Sequence, residues 1–200
     1  MLEIAVLGLL NESPLHGYEL RKRLASLLGT FRAFSYGSLY PTLRRLSEAG
    51  WITEESPIEA PTITPVAARS RRGRRVYQLT AEGKEHLAEL LAAVGPDAFD
   101  DEGFGARLAF FAQTRSDIRL QILEGRRRRV EERRDGMRSS LGRTGSRVDR
   151  YTRVLHEHGL ESVDREVRWL TELIEHERSD ASASGANRIP PLHQPPKEEP

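Results

Sequence analysis

The chain has 200 residues, room for one or two domains with a real core. Its hydrophobic fraction of 38% against 30% charged residues favours a helical, surface-rich protein over a large enzyme core. Cysteine is absent, which removes disulfides, thiolate zinc sites and cysteine nucleophiles, and no apolar run reaches the roughly 18 residues that a membrane span needs.

The net charge is only +1, but the basic residues cluster at 69–75 and 126–134. The opening Met1-Leu2-Glu3-Ile4 carries no basic leader, so no signal peptide is expected. A cytoplasmic protein fits both this and the missing cysteines.

Residues 2–10 read as a short buried helix, with Leu2, Ala5, Val6, Leu9 and Leu10 on one face. After Asn11 to Pro14 a second helix runs from about Gly17 to Leu28. Its expected inward residues are Tyr18, Leu24, Leu27 and Leu28, with Arg21, Lys22 and Arg23 outward. A third helix spans roughly Ser38 to Ala49. Ser38 is its expected N-cap, Pro41 falls in the first turn, and Gly50 stands where a C-terminal cap belongs.

Trp51 to Glu55 and Val76 to Leu79 alternate as two short strands. A long polar insertion with Pro57, Pro61, Pro65 and Gly73 separates them. Thr80 is expected to cap a fourth helix carrying Leu87, Leu90, Leu91 and Val94, and Gly95-Pro96-Asp97 closes the first domain.

The second half reads as all-helical. A short helix holds Leu108, Phe110 and Phe111. A long one runs from about Asp117 to Leu141, with Leu123, Val130 and Met137 repeating at sevens. Leu141, Val148, Tyr151 and Leu155 are expected to continue an apolar seam until Gly159 interrupts it. Val163, Val167, Leu170 and Ile174 form the last stripe, and Ser179 to Pro200 reads as a disordered tail. The expected organisation is a winged-helix domain at 1–96, a helical domain at 97–178 and a tail at 179–200.

Helix, strand, arginine-rich loop and strand outline a winged helix-turn-helix, which points to duplex DNA. With Leu39, Leu43 and Leu46 facing the core, Ser38, Tyr40, Thr42, Arg44 and Arg45 are left on outward or flanking positions of the third helix. There arginine suits guanine and the hydroxyls suit phosphate. Arg69, Arg71, Arg72, Arg74 and Arg75 crowd the loop where a wing would meet phosphate. Arg126 to Arg129 read instead as a solvated helix face, balanced by Glu131 and Glu132. His16, His86, His156, His158 and His176 do not converge, so no metal is expected, and no catalytic motif marks the chain as an enzyme.

Three stretches together resemble the PadR-type bacterial transcription regulators: LGLLNESPLHGYEL at 7–20, YGSLYPTLRRLSEAGWI at 36–52 and RRVYQLTAEGKEHL at 74–87. The resemblance implies a mainly α fold with a small two-stranded β-wing, and a DNA-approaching role for Tyr40. It also implies a C-terminal helical region that forms part of a homodimer. Leu87, Leu91, Val167, Leu170 and Ile174 are the expected dimer contacts, because their stripes are too apolar to be left in water and one small core cannot cover them all. The two recognition helices would then meet an inverted-repeat operator with half-sites about 34 Å apart.

A small-molecule effector is a further expectation, with Phe104, Phe110, Phe111 and Trp169 as candidate pocket residues. Some relatives of this type hold flat aromatic ligands beside a Trp of the fourth helix, and that segment has no aromatic residue here. Two rival readings stand beside the regulator: a protein-interaction adaptor, and a small-ligand-binding helical protein using the winged helix as scaffold.

Overall fold

A computed structural model describes residues 1–28, 36–55, 75–144 and 149–186. The architecture is mostly helical with one small antiparallel sheet. In chain order it comprises α1 (Leu2–Glu12), β1 (Leu15–His16), α2 (Gly17–Leu28), α3 (Leu39–Glu48), β2 (Ile52–Glu55) and β3 (Val76–Leu79). There follow α4 (Ala81–Ala92), α5 (Asp101–Leu108), α6 (Ser116–Thr144) and α7 (Arg150–Ala186). No described helix is long and apolar enough to cross a membrane.

The first helix is buried on all sides rather than on one face. Every residue from Ile4 to Leu10 is covered, because α1 packs against α2, α3, α4, α5 and β3 at once. A helix hydrophobic all round belongs at the centre of a core.

The wing sheet has a third strand that the sequence pattern does not announce. Leu15 and His16 pair with Tyr77 and Val76, giving the order β1-β3-β2. Two residues after a proline are too few to show a period of two, so only the pairing reveals them. Between β2 and β3 the register sets Ile52 against Leu79 and Glu54 against Tyr77.

The caps of α3 are asymmetric. Its C-terminus closes as expected: Gly50 takes a positive φ of 76°, its N–H donates to the Ser47 carbonyl, and the Trp51 N–H donates to Leu46. This is the paired closure that favours glycine one place past the helix. Its N-terminus corrects the sequence reading. Ser38 already lies in a 3-10 turn with helical dihedrals and makes no side-chain capping bond. At α4 the cap is as expected, since the Thr80 hydroxyl accepts from the Gly83 N–H at 2.9 Å and donates to the Gly50 carbonyl at 2.8 Å. That one hydroxyl ties the end of α3 to the start of α4.

Two apolar cores result. The first holds α1 to α4 with the sheet and includes Leu39, Leu43, Leu46, Leu87 and Leu91. The second lies between α6 and α7 and includes Phe104, Leu123, Val130, Val163, Val167, Leu170 and Ile174. Ala106 and Phe110 reach back into the first core, so it draws residues from beyond position 96. A Cβ on Gly8 would strike the Phe110 ring, so this glycine is where the two halves fit closely.

This packing corrects the expected dimer contacts. Leu87, Leu91, Val167, Leu170 and Ile174 are all buried within the one chain, each under a tenth exposed. The stripe of α4 packs on α1, and that of α7 on α6. The long helical pair supplies a second core beside that of the first half.

Three further corrections concern α7. It passes through Gly159 without a break, with the Met137 side chain close against that glycine. It also extends through residues 179–186, which were expected to begin the tail; the rest of the expected tail lies outside the described residues. Tyr151 and Leu155, expected in a buried seam, are exposed. Leu141 is only partly buried, and Val148 lies outside the described residues.

Candidate nucleic-acid interface

Helix α3 alternates its surfaces at helical spacing. Leu39, Leu43 and Leu46 sit in the first core, which leaves Tyr40, Arg44 and Arg45 to the outside. Tyr40 is 56% exposed, unusual for a large aromatic side chain. Tyr40, Arg44 and Arg45 line a groove of about 570 Å³ together with Ser47, Glu48, Glu54, Arg75 and Tyr77. Four of the expected contact residues are thus brought to one surface, between α3 and the strands β2 and β3.

The other expected residues divide. Ser38 is exposed beside Tyr40, at the entrance to the helix. The Thr42 hydroxyl donates to the Ser38 carbonyl at 2.8 Å and is spent on the helix itself. Arg69, Arg71, Arg72 and Arg74 lie outside the described residues.

The described arginines of this face all have carboxylate partners. Arg44 is 3.9 Å from Glu48 one turn on, both strongly exposed, a pair of little worth. Arg45 holds Glu3 of α1 at 2.5 Å. Arg75 meets Glu54 on the neighbouring strand. Arg45 thus stands half-exposed on the flank of α3, held by a charged partner on α1.

Glu3 is a shared carboxylate. Its second oxygen lies 2.7 Å from His86 Nε2 on α4, and the His86 ring stacks on Trp51 with centroids 3.6 Å apart. Burial works against the charge of Glu3. The bonds from Arg45 and His86 overcome that and hold its pKa below the usual 4.5. On the strand, burial and the nearby Glu54 push the Tyr77 phenol upward.

One exposed residue of α2 was misread from sequence. Tyr18, expected inward, is 67% exposed at the start of α2. Leu20 and Leu24 of the same helix are fully buried, and a residue two places before Leu20 falls on nearly the opposite side of a helix. That offset was the legible signal.

The candidate effector residues do not form one pocket. Phe110 is in the first core, while Phe104 and Phe111 pack in or on the second. Trp169 meets Phe104 edge to face at 6.2 Å. The arginine run beyond them also departs from its reading. Arg126 is buried, donating to the Phe99 carbonyl at 3.0 Å and to Glu166 at 2.8 Å. It reaches Asp101 at 2.6 Å, with Phe104 under its guanidinium. Arg128 and Arg129 remain exposed, as a solvated face would have them.

Residues 6–89 match the Transcriptional regulator PadR-like family. The negative transcriptional regulator PadR of Bacillus subtilis is 30% identical over 91 residues, 46% of this chain and 45% of that regulator. The aligned part thus spans about half the length of that relative. Similar solved structures include Bacillus subtilis PadR in complex with operator DNA, at 21% identity and a TM-score of 0.40 over 88% of this chain and 98% of that one. The same protein in complex with p-coumaric acid gives 20% identity and a TM-score of 0.40 over 88% and 98%. Smu.1604c from Streptococcus mutans gives 25% identity and a TM-score of 0.40 over 86% and 98%.

Proposed function

From the match of residues 6–89 to the PadR-like family of transcriptional regulators, we propose that this protein is a sequence-specific DNA-binding repressor that acts as a homodimer on an inverted repeat. The observation that carries the reading is the outward set on α3. Tyr40 and Arg44 stand on the face away from Leu39, Leu43 and Leu46, next to Arg75 at the root of the wing. A helix so placed enters a major groove with its first turns toward the base edges.

Tyr40 supplies a hydroxyl and an aromatic ring, and Arg44 a guanidinium that can bridge O6 and N7 of guanine. Ser38 and Tyr18 offer hydroxyls to flanking phosphates. Arg69, Arg71, Arg72 and Arg74 keep their expected role as wing contacts to phosphate. None of these contacts is reactive chemistry; all are binding.

The homodimer needs a surface other than the stripes buried inside the chain. The exposed face of α7 offers one. Tyr151, Val154, Leu155 and Trp169 are all exposed there, and their spacings of three, four and fourteen return to one side of a helix. We assign the second copy to this face. Two α7 helices packed antiparallel about Ser162 bring Leu155 level with Trp169 of the partner subunit, because the two are equally spaced from that residue.

Fluorescence anisotropy on a labelled random-sequence duplex, titrated across salt concentrations, tests the reading at its root. The expected result is affinity that falls steeply as salt rises, with a slope of about 0.9 per phosphate neutralised. Affinity too weak to measure at low salt, or insensitive to it, would overturn the DNA-binding assignment.

A further inference from the structure

The arginines of the DNA face are not free. Arg45 is held by Glu3 and Arg75 by Glu54, and both carboxylates are well covered, at 20% and 25% side-chain exposure. Their arginines remain half-exposed, at 55% and 50%. The Arg44–Glu48 pair differs, since both members lie almost fully in water and screening leaves it weak.

A covered carboxylate bound to a half-exposed guanidinium takes up donors that a phosphate would otherwise bind. Resting on the DNA-binding reading above, we propose that Glu3 and Glu54 are specificity-determining residues. They compete with phosphate for Arg45 and Arg75, and so hold down sequence-independent affinity.

The physical basis is the difference between the two modes of binding. Non-specific affinity comes almost entirely from cations that replace the counterions of DNA. A loosely docked protein can turn any free guanidinium toward some phosphate. A complex fixed by base contacts from α3 cannot shift to collect extra phosphates. Pairing Arg45 and Arg75 internally therefore costs random-sequence binding more than it costs binding at the preferred sequence.

Glu3 also has a second anchor in His86, which keeps the carboxylate in place whether or not Arg45 leaves it. Glu54 is held on β2 by the ladder to β3. Both competitors are thus fixed by the fold, while the arginines they hold are on flexible stems.

The test uses the full chain and two probes: a labelled random-sequence duplex, and the duplex most enriched by selection from a random library. Glu3→Gln and Glu54→Gln are compared with wild type and with Glu132→Gln, which removes an equal charge from the exposed surface of α6. Each freed arginine is expected to raise random-duplex affinity roughly 5–10-fold near 0.1 M salt and to steepen the salt slope by about 0.9. The selected duplex should gain less, so the ratio of the two affinities falls. Glu3→Gln/Arg45→Gln should return both values to near wild type.

A rise no larger than that of Glu132→Gln, or an equal rise on both duplexes, overturns the proposal. Loss of salt-dependent binding by the wild type itself would instead overturn the DNA reading beneath it. Thermal melts guard against misfolding, and the two variants lie in different elements, so either one alone carries the test.

Discussion

The two halves of the molecule hold themselves together by different means. The first is an apolar core around one helix, α1, with most of its charge left at the surface. The second is a thin pair of long helices joined by a strip of valine, leucine and isoleucine and laced with ion pairs. Arg119 meets Glu177, Arg126 and Arg133 meet Glu166, and Arg138 meets Asp164. As the α6 partner moves up the chain the α7 partner moves down, so the helices run antiparallel. A rounded core can be built from apolar periodicity alone. Two slender helices have too little interior for that and recruit charge as well.

The sharpest way to break this contrast is to attack the place where the halves meet. Phe110 is 1% exposed and rests on Gly8. Phe110→Ala should cost about 3–5 kcal/mol of stability, the range for removing a buried aromatic ring. Denaturant unfolding would show it as a lower midpoint. A loss below about 1 kcal/mol would mean that the halves are only loosely joined.

Next comes the buried arginine of the second half. Arg126→Gln removes the buried partner of Asp101 and Glu166, leaves them only the more exposed Arg133, and frees the Phe99 carbonyl; it should cost about 1–3 kcal/mol. Arg128→Ala, two residues on and exposed, should stay within about 0.5 kcal/mol. Equal losses from both would return the arginine run to the solvated face expected from sequence.

A smaller effect distinguishes the halves under acid. Burial disfavours the charge of Asp101, yet Arg126 and Arg133 hold its pKa below the ordinary 3.8. A carboxylate with a depressed folded pKa contributes stability that is complete above its unfolded pKa and lost as pH falls through the folded one. Glu3 follows the same sign from its usual 4.5. Melting temperature should therefore fall progressively below about pH 4.5. Asp101→Asn should blunt the part that belongs to the second half. No blunting would show that Asp101 does not contribute.

The exposed stripe of α7 gives the smallest effect on folding. Tyr151→Ser with Leu155→Ser should change stability of the isolated chain by under about 0.5 kcal/mol yet weaken self-association. Sedimentation across a concentration series reads this directly. An unchanged oligomer would place the second copy elsewhere.

What was legible followed the kind of force. The stripes of α3, α4, α6 and α7 could be read because Leu43, Leu87, Val130 and Leu170 recur at helical spacing. Gly50 and Thr80 could be read because each has a specific backbone task. Three things could not. The strand at Leu15–His16 is too short to show alternation. The Glu3–Arg45 pair joins residues far apart in the chain, and no local pattern records it. Arg126 looks like its neighbours in sequence and differs only in what folds over it. The same limit explains the misplaced dimer contacts, since an apolar stripe reveals that it is covered but not whether by its own chain or another.

The measurement that bears most directly on the central claim removes the same charge from each half. Arg44→Ala takes it from α3 and Arg128→Ala from the exposed surface of α6. Each is titrated against the selected duplex at one fixed salt concentration. If α3 reads DNA, Arg44→Ala loses roughly 1–3 kcal/mol of binding while Arg128→Ala stays close to wild type. Equal losses, or a loss confined to Arg128→Ala, would contradict the assignment of the recognition surface to α3.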